Sequence, residues 1–175
     1  MTQKINPGKL FEHDFKESIP KDVYYVRIRD PILENRKTDP KEKKSYTFGE
    51  RCPYDCILNY KSTMYCLELK STGGTSISYS GARPMIKAHQ IEQLARAARY
   101  PGVIAGLILN YRRIRRTWFV DIRDFQCFAD ANREKSINAK DCALIGTEIP
   151  ATLMRVHWRY DISALWGGGQ IGLEV

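Results

Sequence analysis

Residues 103–109 (VIAGLIL) form the longest apolar run in the chain, and this run limits the possible folds more than any other feature. It is far short of the ~20 residues that a membrane-spanning helix needs. A strand with one face in water alternates apolar and polar residues. This run does not alternate, so it reads as a central strand covered on both faces. Covering both faces takes layers of other elements, and the flanking patterns supply them. Residues 7–19 open after Pro7 with Leu10, Phe11, Phe15 and Ile19 at helical spacing, and 87–100 place Ile91, Leu94, Ala95 and Ala98 on one helical face. Residues 123–134 and 139–146 also read as helices. Strands are expected at 23–29, 55–60, 63–70 and 116–122, with a last extended segment at 152–158. Residues 71–85, small and Gly-rich, read as a loop. This order predicts an α/β fold, a mixed central sheet flanked by helices.

The chain has 175 residues, which at about 150 per domain predicts a single domain. We expect it to span 1–166, with an exposed arm at 34–51 and a flexible Gly-rich tail at 167–175. The 43% hydrophobic and 27% charged content is that of a globular protein and argues against a fibrous or disordered chain. The N-terminus has no apolar signal core, and the five cysteines include no CxxC pair. A cytoplasmic protein with reduced thiols and no membrane partner is therefore expected. The formal net charge of +8 favours a polyanionic partner, nucleic acid above all.

Two segments concentrate that charge. The arm carries Lys37, Lys41, Lys43 and Lys44, with Tyr46 and Phe48 interleaved; these rings could stack on exposed bases or anchor the arm to the core. Arg112, Arg113, Arg115 and Arg116 crowd a turn between two expected strands, where like charges cost stability unless an anion is near. These eight residues, with Lys87 at the start of the second long helix, are candidate DNA contacts. A solvated helix face explains Lys87 equally well.

The residues suited to chemistry are Asp55, Glu68 and Lys70, an Asp-x12-Glu-x-Lys pattern. Glu68 and Lys70 are two apart on a strand and leave the same face. The hairpin brings Asp55 beside them. Two carboxylates can hold a hard divalent cation against an anionic phosphodiester, and a lysine can orient or deprotonate the attacking water. A Glu-x-Lys triplet alone, however, is more often a solvated charge pair.

In order along the chain stand Gly8-x-x-Phe11-Glu12, Pro53-x-Asp55, Glu68-Leu69-Lys70-Ser71-Thr72, Thr75-Ser76, His89-Gln90-Ile91 and Gly102-Val103-Ile104. In this order and spacing the chain resembles the RecU-type Holliday junction resolvases, within the restriction-endonuclease-like PD-(D/E)xK nucleases. The resemblance spans about Gly8 to Asp121. It implies a restriction-endonuclease-like core and a Mg²⁺ site, with Mn²⁺ able to substitute, held by Asp55 and Glu68. It also implies catalytic roles for Lys70 and Gln90, and related archaeal enzymes point to Glu12. An acidic residue early in a helix can also serve the helix dipole, which is the other reading of Glu12. The expected activity is paired, symmetric nicking of four-way DNA junctions by a homodimer. A nuclease for other branched, flap or linear DNA, and a non-catalytic DNA-binding module, remain alternatives. Tyr54 stands where that family usually has a small hydroxyl residue. His13 and His89 have no partner at metal-ligand spacing and are left out as ligands, and His157 reads as structural.

Overall fold

The computed structural model describes residues 6–29, 32–34, 46–48, 52–132 and 135–167; for 32–34 and 46–48 it describes the backbone path. The first helix, α1 (Pro7–Glu17), starts where Asn6 accepts the Gly8 N–H on its side-chain oxygen at 2.9 Å, with Pro7 in the first turn. The central sheet is built from β1 (Tyr24–Arg27), β4 (Cys56–Tyr60), β5 (Thr63–Thr72), β7 (Val103–Tyr111), β8 (Arg116–Asp121) and β10 (Thr147–Glu148), in that spatial order. Its pairs are antiparallel except β5 with β7, where Glu68 lies opposite Leu107 and Lys70 opposite Leu109. A parallel pair needs a crossover, and α2 (Ala88–Ala97) lies in it.

The apolar run is the central β7, and it is covered on both faces as expected. Ala105, Leu107 and Leu109 pack with Leu94 of α2 and with Ile122 and Phe125 of α3 (Ile122–Ala131). Cys142 of α4 (Ala139–Ile145) joins the same layer. Ile108 packs on the other face with Phe11 and Phe15 of α1, Leu67 of β5 and Leu165 of α5 (Ala164–Gly167). Gly106 interrupts the run because a Cβ there would collide with the Val120 carbonyl oxygen and the Phe119 ring on β8. The fold is thus mixed α/β, a central sheet flanked by helices.

Four local features differ from the sequence reading. The loop at 71–85 contains β6 (Ser76–Ser78), which pairs with β9 (Ser136–Asn138); strands this short, and far apart in sequence, leave no periodic signal. The expected strand at 152–158 is instead a ribbon, β11 (Ala151–Leu153) returning as β12 (Trp158–Tyr160). The two residues of β10 add a strand at the sheet edge that the sequence reading did not include. Finally, β2 (Ile32–Glu34), which leads into the arm, pairs with β3 (Tyr46–Phe48) inside it. Lys37, Lys41, Lys43 and Lys44 lie outside the described residues, as do 168–175 of the tail.

Candidate active site

Asp55 precedes β4, and two backbone bonds seat it at the sheet end: its N–H donates to the Leu67 carbonyl at 3.1 Å and its carbonyl accepts the Ile28 N–H at 2.9 Å. Its side chain reaches across the hairpin, where Oδ2 accepts the Leu69 N–H at 2.8 Å. That amide lies between Glu68 and Lys70, so the backbone itself brings the three residues together. Glu68 is 2% exposed. Its Oε1 accepts from Lys70 Nζ at 2.7 Å and from Gln90 Nε2 of α2. The other end of the Gln90 amide, Oε1, accepts the Lys87 N–H at 2.9 Å at the start of the helix.

Burial pushes the Glu68 carboxyl up to about 7; the Asp55 charge adds to the shift and Lys70 opposes it. A divalent cation at this place would favour the ionised Glu68 that burial disfavours. A proton kept near neutral pH does part of the work a divalent ion would do. Both donors to Glu68 fall on Oε1, and its carboxyl also meets the Asp55 side chain, so the two acids offer oxygens at one place. Asp55 and Glu68 therefore fit an oxygen-coordinated divalent ion.

The site opens into a cleft of about 570 Å³ lined by Asp55, Glu68, Gln90 and Glu12, together with Lys9, Lys16, Arg27, Arg29 and Lys87. Glu12 is in the second turn of α1, and no acidic residue occupies the first turn, so the dipole reading of Glu12 does not hold. Its carboxylate pairs with Arg27 at 2.5 Å. The structure thus brings together Asp55, Glu68, Lys70 and Gln90, and puts Glu12 and Lys87 on the same cleft. Tyr54 also lines the cleft, and its side chain hydrogen-bonds the Cys66 thiol.

The arginine turn stands past the end of β5. Arg112 is tied back to the sheet: Nη1 donates to Ser71 Oγ at 2.9 Å and its N–H to the Thr72 carbonyl at 3.0 Å. Arg116 makes a two-pronged pair with Glu148 and lies 5.0 Å over the Trp118 ring. Arg113 and Arg115 are exposed.

Sequence reasoning missed one constellation. His13, Asp14 and His157 have their ligand atoms within 4.8 Å of one another, a cluster able to hold a divalent ion. His157 Nδ1 is 3.0 Å from Asp14 Oδ1, across 143 positions of sequence. No spacing rule could have found it, because the β11–β12 ribbon makes the contact. His13, left out as a ligand on its spacing in the sequence, thus stands within ligand distance of Asp14 and His157.

Fold and site define a mixed α/β protein carrying a carboxylate–lysine cluster at the end of its sheet, inside a basic cleft. Over 176 residues the chain is 30% identical to the SPbeta prophage-derived uncharacterized protein YotM of Bacillus subtilis (strain 168), an overlap of 93% of this chain and 86% of that protein. The chain belongs to the family of that prophage protein. No protein-family model matches it. Among solved structures it is similar to Hjc of Archaeoglobus fulgidus, a Holliday junction resolvase from an archaeal hyperthermophile. That match has TM-score 0.48 and 18% identity, and covers 79% of this chain and 92% of that one. Among the described residues no helix is long and apolar enough to cross a membrane.

Proposed function

We propose that the protein is a Mg²⁺-dependent endodeoxyribonuclease of the PD-(D/E)xK type that resolves four-way DNA junctions. The observation that carries this reading is the pair of carboxylates, Asp55 and buried Glu68, on a cleft lined with basic side chains, with Lys70 paired to Glu68. Asp55 and Glu68 would hold Mg²⁺, or Mn²⁺ in its place, and the bound ion would supply charge against the scissile phosphate and a more acidic water. Lys70 orients the attacking water and adds positive charge where the transition state gains negative charge. Gln90 fixes the rotamer of Glu68. Lys9, Lys16, Arg29 and Lys87 draw the phosphate backbone into the cleft. Symmetric nicking of a two-fold substrate calls for two sites, hence a C2 homodimer. The basic arm at 34–51 is the segment that would read the open junction centre. We place the activity in the cytoplasm of a bacterial or phage-infected cell.

The test is cleavage of a labelled four-way junction and of a linear duplex of equal length, with and without Mg²⁺, by the wild type, Asp55→Asn and Glu68→Gln. The wild type should cut the junction preferentially and only with the ion. Both variants should lose cleavage but keep junction binding, since affinity rests on basic side chains. Near-normal cleavage by either variant would refute the site. Equal cutting of both substrates would replace junction resolution with general nuclease activity.

A further inference from the structure

We propose that His13, Asp14 and His157 form a second metal site, selective for one divalent ion of the Zn²⁺ class. Asp14, on α1, is 2% exposed. A carboxylate so deeply placed requires partners, and its two oxygens are differently engaged. Oδ2 accepts the Trp158 N–H at 3.0 Å, which holds the group in orientation, while Oδ1 is hydrogen-bonded to His157 Nδ1 at 3.0 Å, a contact that an ion would replace. His13 follows one position earlier on the helix and its ring meets that of His157 edge-on, with centroids 5.8 Å apart. Neighbouring positions on a helix do not face each other. The set is therefore complete only because the turn between β11 and β12 delivers His157.

Ligand atoms around a four-coordinate ion with bonds of ~2.0–2.2 Å stand about 3.3–3.5 Å apart. The three atoms here fall within 4.8 Å. The exposed ring of His13 can close the difference by a change of rotamer. Two imidazoles and a carboxylate suit Zn²⁺, Co²⁺ or Ni²⁺, whereas Mg²⁺ prefers oxygen. The ligand set is thus chemically distinct from Asp55 and Glu68, although His13 also lines their cleft, and it does not depend on the nuclease reading. Three protein ligands leave a fourth position for water. Because the ligands span most of the chain, an ion here would staple α1 to the ribbon and stabilise the fold.

The experiment uses the whole reduced protein in excess Mg²⁺. Co²⁺ is titrated while its visible ligand-field bands are followed, and Zn²⁺ is added in a parallel melting experiment. We expect one equivalent of Co²⁺ to bind without a thiolate charge-transfer band, and Zn²⁺ to raise the Tm. His13→Ala leaves the Asp14–His157 contact intact, and it and His157→Ala should each weaken Co²⁺ binding by at least about tenfold. Asp55→Asn with Glu68→Gln should leave binding unchanged. Wild-type affinity in both histidine variants, a thiolate band, or no saturable binding at millimolar Co²⁺ would overturn the proposal. So would loss of the bound equivalent in the Asp55/Glu68 variant.

Discussion

Gln90 reaches from α2 to Glu68 and spends both ends of its amide in doing so. Nε2 donates to the buried carboxylate, and Oε1 accepts the backbone N–H that begins its own helix. A side chain anchored at both ends cannot rotate without losing a bond, so it sets the orientation of Glu68. We expect Gln90→Ala to weaken Mg²⁺ activation and cleavage about 10- to 100-fold, as loss of a supporting partner does at metal sites. DNA binding measured in EDTA should not change. A variant with wild-type Mg²⁺ dependence would make Gln90 only a helix cap.

The raised Glu68 carboxyl has a consequence for stability. Below its ordinary value of 4.5, Glu68 is protonated both folded and unfolded. As pH rises from there to about 7, the folded protein retains a proton that the unfolded chain has released, so stability falls across that window. At about 1.4 kcal/mol per pKa unit the full loss is about 3 kcal/mol. Metal-free Glu68→Gln should therefore gain on the wild type as pH is raised from about 5 to about 8 in denaturant titrations. Saturating Mg²⁺ should close the gap. Parallel pH profiles for the two proteins would mean that Glu68 folds already ionised.

Lys70 touches Glu68 at 2.7 Å and holds its carboxyl down against the effect of burial. Lys70→Ala should lower the single-turnover cleavage rate by more than ~100-fold with little change in DNA affinity, because it adds positive charge in the transition state. The residual activity should need a higher pH, since Glu68 would lose its proton later. Weaker binding with an unchanged rate would reassign Lys70 as a phosphate anchor.

All four arginines of the turn are exposed, but Arg112 and Arg116 are engaged with Ser71 and Glu148. Replacing Arg113 and Arg115 together should flatten the slope of log affinity against log salt by about two if both meet phosphate. Arg116→Ala should leave that slope alone. If the double variant also keeps the wild-type slope, the turn makes no phosphate contact.

Much of this protein follows from local pattern. The apolar run 103–109, which does not alternate with polar residues, demanded cover on both faces, and β7 has it. The two-residue spacing of Glu68 and Lys70 put both on one face of β5, and the hairpin set Asp55 beside them, because strand periodicity and a tight turn act over a few residues. Other features depend on contacts between distant segments, which leave no period in the chain. The β6–β9 pair, the return of the 152–158 segment as a ribbon, and the partnership of Arg116 with Glu148 are of this kind. The sequence carried Glu68 as a candidate carboxylate. Only folding buries it between Asp55, Lys70 and Gln90 and so raises its pKa, because desolvation is a property of the packed surroundings. His157 is the clearest case: by sequence an isolated histidine, it stands beside Asp14 and His13 because the ribbon folds back onto α1.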